Sequence, residues 1–110
     1  MVFNTGAALL DAIVLAVVSK AEEGTYGYRI TQDVRAAIDV SESTLYPVLR
    51  RLQKSGCLRV YDRECGGRNR RYYQITEAGT ERLQEYRREW QEYSAKISEL
   101  FCEEQAETDV

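Results

Sequence analysis

The feature of this sequence that most constrains its fold is a heptad repeat of apolar residues near the C-terminal end. Its members, separated by alternating steps of three and four residues, are Leu83, Tyr86, Trp90, Tyr93, Ile97 and Leu100. This spacing is typical of the a and d positions of a coiled coil, which lie on one narrow stripe of a helix. A helix from residue 77 to about residue 104 would be roughly 40 Å long, more than a small core can cover. The stripe therefore predicts a dimer interface with a second copy of the chain. The alternative is packing against the first helix of the same chain, and the two arrangements can be combined.

Three further apolar patterns precede this helix and predict a helical core. Residues 9–18 are apolar at almost every position, which is typical of a helix buried on all sides. A stripe of apolar residues at every fourth position predicts a second helix that begins with Tyr26 and includes Ile38. Apolar residues recur at i, i+3, i+4 and i+7 within residues 45–52 and predict a third helix. A length of 110 residues and an apolar content of 44% suffice for one small domain.

The third predicted helix has a polar and basic outer face. Because Pro47 is tolerated only near a helix start, this helix is expected to begin near Ser41 to Ser43, with either serine as its cap. Gly56 is expected to close it. The side chains on the outer face are those of Ser43, Thr44, Tyr46, Pro47, Arg50, Arg51 and Lys54.

Two segments of alternating apolar and polar residues follow and predict a β-hairpin. The first begins at Leu58 and the second ends at Ile75, with a loop at residues 64–69 between them. Thr76 is expected to cap the long last helix. Three helices and a hairpin predict a mainly α fold with a small β component (α+β), a winged helix-turn-helix followed by a long C-terminal dimerisation helix. The expected divisions are residues 1–76 for the winged helix, 77–104 for the dimerisation helix and 105–110 for an acidic tail.

The charges are unevenly distributed along the chain. The formal net charge is −3, yet residues 50–71 contain eight basic side chains and two acidic ones, while residues 81–110 contain nine acidic and four basic ones. An acidic protein with one basic face can bind a polyanion, because salt confines the interaction to about 10 Å. The alternative is a solvated surface of salt bridges. Since the basic residues lie on the third helix and the hairpin, we expect the helix to enter the DNA major groove and the hairpin tip to reach the backbone or minor groove.

The candidate DNA contacts lie on these two elements and at the start of the second helix. They are Tyr28, Ser43, Thr44, Tyr46, Pro47, Arg50, Arg68, Arg70 and Arg71. Hydroxyl groups can bond to phosphates or base edges, and arginine reads guanine or phosphate. Alternatively, Tyr46 is a core aromatic residue and Ser43 only a helix cap.

The composition disfavours several other classes of protein. The chain has no histidine, the commonest general acid/base and metal ligand, so we expect no enzyme, no metal and no cofactor. Cys57, Cys65 and Cys102 form no C-x-x-C pair and predict a reduced, cytoplasmic protein. Cys57 is expected in the core, whereas Cys65 is either a redox switch or an incidental exposed thiol. The apolar segment at residues 7–18 is too short to span a membrane.

Four segments of the chain resemble the PadR-type regulators. They are YGYRI at 26–30, STLYPVLRRL at 43–52, GRNRRYY at 67–73 and ITEAG at 75–79. The second and third segments are specific in combination, and the resemblance extends over residues 9–100. Because one helix follows the hairpin, the chain resembles the short branch of the family, which includes the multidrug-sensing regulators. Asn69 stands where many members have proline.

The resemblance implies a homodimeric transcription factor, usually a repressor, that dimerises through its last helix and binds a pseudo-palindromic operator. For some short members it also implies a pore at the dimer interface, where paired tryptophans hold flat aromatic compounds. Trp90 is at the matching position, and the opposite wall would come from Ala8, Asp11 and Ala12, with Asp11 favouring a cation. Alternatively, Trp90 is structural and Asp11 is simply exposed. A protein-interaction module without specific DNA binding is a different function that would leave the basic face unexplained.

Overall fold

The computed structural model describes residues 6–102, apart from the side chain of residue 7, and this part of the chain contains four helices and three strands. In chain order the elements are α1 (Ala7–Ser19), β1 (Thr25–Tyr26), α2 (Gly27–Arg35), α3 (Glu42–Lys54), β2 (Leu58–Cys65), β3 (Arg68–Ile75) and α4 (Glu77–Phe101). This order confirms the expected α+β winged-helix fold. The expected acidic tail and the predicted helix end at residue 104 lie outside the described residues. Among residues 6–102, none of the helices combines the length and the apolar character needed to cross a bilayer.

The core lies between α1 and the two helices that follow it. Val14, Leu15 and Val18 of α1 are completely buried, whereas the other described side chains of this helix are half-buried. The expectation of a helix buried on all sides is therefore met on one face only. The stripes of α2 and α3 bring Ile30 and Leu45 into the same cluster. Each such side chain contributes about 1.5–3 kcal/mol to folding. The core thereby leaves the polar outer face of α3 in solvent.

Local hydrogen bonds fix both ends of α3. Ser41 is the N-cap, and its hydroxyl oxygen accepts a hydrogen bond from the backbone N–H of Thr44 at 3.3 Å. At the other end, the N–H of Cys57 donates to the carbonyl of Leu52 at 2.9 Å, and Gly56 adopts a φ of 85°. These features define a Schellman motif, in which a left-handed residue suits glycine. The expected cap and the expected glycine end of this helix are confirmed.

The sheet has one strand more than the sequence analysis predicted. Tyr26 was expected to open the second helix, but it lies in β1, which pairs Thr25 with Tyr73 and Tyr26 with Tyr72 in the order β1-β3-β2. The rings of Tyr26 and Tyr72 are 5.7 Å apart, and this long-range contact favours the extended backbone at Tyr26. Ile38 was expected on the same helix, but α2 ends before it at Arg35. Ile38 packs against the core from the following turn.

The start of α4 is held against the start of β2. The N–H of Thr76 donates to the carbonyl of Cys57 at 3.0 Å, and the hydroxyl of Thr76 accepts from the N–H of Gly79, which confirms the expected cap. Gly79 is buried at the closest approach of the two elements. A Cβ atom there would overlap the carbonyl oxygen of Cys57 and lie 2.8 Å from Cγ1 of Ile75.

The heptad stripe of α4 divides into a buried part and an exposed part. Leu83 and Tyr86 are buried in the core that α1 forms, so the first part of the stripe packs within the chain. Trp90 is 45% exposed and Leu100 is 81% exposed. Between them, Tyr93 packs against the core and Ile97 is half-buried. The distal part of the stripe is thus only partly covered within the described chain.

Gly79→Ala is expected to destabilise the protein by about 1–3 kcal/mol, because a methyl group cannot be accommodated against the carbonyl of Cys57. An unhindered helical glycine would instead gain about 0.5–1 kcal/mol from the same change. Urea denaturation measures the free energy of unfolding, and Gln84→Ala, at an exposed position of the same helix, serves as the control. Wild-type stability of the Gly79 variant would show that α4 can move away from β2 without cost.

Candidate nucleic-acid interface

A groove of about 600 Å³ runs between the helix-turn-helix and the wing, the name used here for residues 58–75. Six of the candidate DNA contacts line it: Tyr28, Tyr46, Arg50, Arg68, Arg70 and Arg71. They come from α2, α3 and β3, which are distant in sequence. The tertiary structure therefore brings these residues together on one surface.

The helical wall of the groove is formed by the first turn of α2 and the middle of α3. Tyr28 is 54% exposed, and its hydroxyl accepts a hydrogen bond from the side chain of Gln32 at 3.2 Å. Tyr46 and Arg50 lie one turn apart on the outer face of α3. Tyr46 is 38% exposed, so it does not belong to the core.

The opposite wall is formed by the wing. Gly66 and Gly67 have φ angles of 61° and 82°, which allow a tight two-residue turn. Arg68 and Arg71 are exposed near this turn. Arg70 is half-buried, because its guanidinium lies 4.6 Å from the centre of the Tyr26 ring.

Three candidate contacts lie on α3 outside the groove. Ser43, Thr44 and Pro47 are all exposed near the start of the helix. The hydroxyl of Ser41 lies 3.0 Å from those of both Ser43 and Thr44. Because Ser41 is the cap, Ser43 is not needed for that role.

The groove also contains residues that the sequence analysis did not select. Gln53 lies one turn beyond Arg50 on α3, and Asn69 lies at the wing tip. The i+3 spacing from Arg50 is a signal that could have identified Gln53. Tyr73 also lines the groove, but its place depends on the sheet register and had no local signal.

The basic side chains of the groove are not neutralised by ion pairs within the described chain. Residues 6–102 form two ion pairs, Arg29 with Asp33 inside α2 and Arg51 with Asp11 between α3 and α1. Arg50, Arg68 and Arg71 take part in neither. The groove therefore presents a positive surface to solvent, which suits a polyanion.

A second, apolar cavity of about 380 Å³ lies between α1, the turn after α2, and α4. It is lined by Leu9, Ala12, Ile13, Ala16, Ile38, Leu83, Tyr86, Arg87 and Trp90. The structure therefore brings together two of the candidate ligand residues, Ala12 and Trp90. Ala8 and Asp11 are not among the lining residues, and Asp11 is paired with Arg51.

Tyr86 contributes to this cavity and to the core at once. The guanidinium of Arg82 lies 5.4 Å from the centre of its ring. A hydrogen bond to Tyr86 raises the pKa of Arg82 above its ordinary value. This charged neighbour helps to hold the tyrosine ring in place.

The cysteines do not form a reactive or metal-binding cluster within the described residues. Cys57 is buried, as predicted, whereas Cys65 in the wing and Cys102 after α4 are exposed, and all three are free thiols. In residues 6–102 there is also no group of three side chains suited to holding a metal ion.

The fold and its basic groove define a protein of the winged helix-turn-helix class. The model of the family described as "Transcriptional regulator PadR-like family" matches residues 14–85. The chain belongs to this family of transcriptional regulators.

Individual relatives share sequence or fold with this chain. The transcriptional regulator Rv3488 of Mycobacterium tuberculosis is 38% identical over 78 residues, which cover 70% of this chain and 73% of the relative. The protein smu.1704 from Streptococcus mutans has a sequence 38% identical to this one. Its crystal structure matches with a TM-score of 0.81 over 92% of this chain and 93% of that chain. Bacillus subtilis PadR in complex with operator DNA is 22% identical, with a TM-score of 0.63 over 71% of this chain and 46% of that one. This last similarity shows the fold alone.

Arg51→Ala is expected to destabilise the protein more than Asp11→Ala does. The first change leaves the carboxylate of Asp11 unpaired with a side chain only 13% exposed, whereas the second leaves a guanidinium that is 49% exposed. We expect the free energy of unfolding to fall by about 1–3 kcal/mol for Arg51→Ala and by less than about 1 kcal/mol for Asp11→Ala. Urea denaturation at neutral pH measures both. Arg29→Ala, which breaks the exposed pair within α2, is the control, and equal losses for the first two variants would contradict the expectation.

Proposed function

We propose that this protein is a cytoplasmic, homodimeric repressor that binds a pseudo-palindromic operator in duplex DNA. The observation that carries the proposal is the groove in which the outer face of α3 and the wing bring Arg50, Arg68, Arg70 and Arg71 together. None of these arginines is ion-paired with an acid among residues 6–102. Membership of a family of transcriptional regulators supports DNA as the partner. The operator complex of Bacillus subtilis PadR, which has a similar fold, supports it as well.

The two walls of the groove would make different contacts with DNA. The exposed N-terminal half of α3, with Ser43, Thr44 and Pro47, would enter the major groove first, as recognition helices do. Tyr46 lies beside Pro47 on the same turn, and Arg50 follows one turn later, where arginine can read guanine or bind phosphate. The wing would place Arg68 and its neighbours at the backbone or in the minor groove.

A second copy of the chain is the proposed occupant of the exposed stripe on α4. Leu100 and Phe101 are 81% and 80% exposed, and both lie beyond the part of the helix that packs on the core. A coiled-coil pair would bury this stripe along both helices. Two recognition helices about 34–36 Å apart could then meet successive major grooves on one face of the DNA.

The apolar cavity is the proposed site of an effector that modulates DNA affinity. Trp90 and Tyr86 offer aromatic ring faces, which bind planar aromatic or cationic compounds, and Ala12 leaves room opposite them. Residue Asp11, adjacent to Ala12 on α1, is ion-paired with Arg51 of α3. An effector that shifts α1 or α4 would therefore act on the position of the recognition helix.

Selection of genomic fragments by the purified protein at about 0.15 M salt is expected to recover a two-fold symmetric site, because a symmetric dimer reads symmetric DNA.

Arg50→Ala is expected to weaken binding to that site by about 5- to 100-fold. Lys20→Ala, which removes an exposed cation that does not line the groove, serves as the control. The combined Arg68, Arg70 and Arg71→Ala variant is expected to weaken binding to all sequences and lower the salt slope by about 0.9 for each phosphate that the variant no longer neutralises.

Failure to enrich any fragment, or binding without sequence preference, would contradict the proposed repressor function. Enrichment of a site without two-fold symmetry would contradict the dimer alone. Light scattering of the free protein gives a second test of the dimer, since the mass of two chains is expected.

Trp90→Ala is expected to abolish binding of planar aromatic dyes, because it removes the largest ring face of the cavity. In the wild type, such dyes should quench the fluorescence of the only tryptophan. Tyr28→Ala removes an exposed aromatic ring outside the cavity and away from α4, and it should leave dye binding unchanged. Equal affinity of the dye for wild type and Trp90→Ala, measured from dye anisotropy, would show that Trp90 serves packing.

A further inference from the structure

The outer face of the wing, which is the face turned away from the core, carries arginine and tyrosine in alternating rows. Across β2 and β3 the directly paired residues on this face are Arg59 with Gln74, Tyr61 with Tyr72, and Arg63 with Arg70. Tyr26 of β1 extends the row beside Tyr72. Buried aliphatic residues such as Leu58 occupy the opposite face.

The pair formed by Arg63 and Arg70 is electrostatically unfavourable in the protein alone. Directly opposed residues of antiparallel strands have Cβ atoms about 4.5–5.5 Å apart, and like charges there repel each other. Strand alternation sends the neighbouring acids Asp62 and Glu64 to the other face. Neither arginine forms an ion pair with any residue between 6 and 102. Two cations therefore lie close together without an acidic partner.

Both guanidinium groups lie over aromatic rings. The Cζ atom of Arg63 is 5.3 Å from the centre of the Tyr72 ring, and that of Arg70 is 4.6 Å from the centre of the Tyr26 ring. The two rings are themselves 5.7 Å apart. Cation–π attraction favours these positions of the guanidinium groups, and less entropy is lost when a side chain that is already held binds an anion.

We propose that Arg63 and Arg70 together form a phosphate-binding pair that contacts the DNA backbone on the outer side of the wing. The proposal rests on the proposed function, because duplex DNA is its ligand. Arg70 lines the recognition groove and also stacks on the outer face, so the two surfaces are continuous. A DNA strand carries one negative charge per about 3.4 Å of helix axis, and a phosphate between the two arginines would relieve their repulsion.

Arg59 lies on the same face but in a different environment. Its Cζ atom is 5.9 Å from the centre of the Tyr61 ring, and its guanidinium donates a hydrogen bond to the side chain of Gln74. The side chain of Gln74 donates in turn to the carbonyl of Glu22 at 2.7 Å, so this end of the sheet adjoins an acidic turn. Arg59 therefore provides a matched control, with the same residue type, strand and kind of stacking but without an opposed arginine.

The test compares Arg63→Gln and Arg59→Gln in the full chain, with the selected operator duplex and a non-specific duplex of equal length. Arg63→Gln is expected to weaken binding to both duplexes by about 3- to 10-fold at 0.15 M salt and to lower the salt slope by about 0.9 per subunit. Arg59→Gln is expected to change neither quantity. Thermal unfolding adds a readout that separates binding from folding, since removal of the repulsion should leave the Tm of Arg63→Gln unchanged or raised.

Single methylphosphonate substitutions along the operator locate the contact. One neutral phosphate outside the recognition groove should weaken binding of the wild type and of Arg63→Lys, but not of Arg63→Gln. Equal losses for Arg59→Gln and Arg63→Gln, or a lowered Tm that accounts for the weaker binding, would overturn the phosphate-binding pair. So would unchanged binding of Arg63→Gln while the wild type binds its operator. If the wild type itself binds no DNA, the proposed function fails first and the pair fails with it.

Discussion

The arrangement of the whole molecule depends on a junction around Cys57. The N–H of this residue closes the end of α3 through Leu52, while its carbonyl accepts the N–H of Thr76 at the start of α4. Gly79 permits the helix to approach that carbonyl at a distance no other residue would allow. One buried position thus joins α3, the wing and the long helix. The orientation of the groove and the direction in which α4 leaves the core both follow from it.

The two candidate sites of the molecule are built from opposite kinds of surface. The groove is polar and positive, because Arg50 and the arginines of the wing face solvent without acidic partners in the described chain. The cavity beside Trp90 is almost entirely apolar. Helix α1 connects the two, since it lines the cavity through Ala12 and is ion-paired with α3 through Asp11. A small core thereby supports two chemically distinct surfaces.

Local signals in the sequence were sufficient for the existence of all four helices, for the caps of α3 and α4 and for most of the candidate groove, but not for the ends of α2. Ser41 and Thr76 cap the helices that they were expected to cap, and Gly56 ends α3, because capping is decided by a few neighbouring residues. Strand β1 was missed, since it forms only by pairing with β3, and Tyr26 is more than forty positions from its partner Tyr72. Gln53 could have been found from its helical spacing.

The sequence by itself determined the class of fold and the positive charge of the outer face of α3 and of the wing. Periodicity, caps and the basic run around Arg50 and Arg68 are local properties, and they suffice because the type of an element and its ends are marked by the spacing of apolar residues and by a few capping residues. Only the tertiary structure decided that Asp11 is paired with Arg51, that Leu83 is buried while Leu100 is exposed, and which arginines lie opposite each other. These depend on contacts between distant segments, whose geometry is fixed by packing and strand register rather than by local sequence.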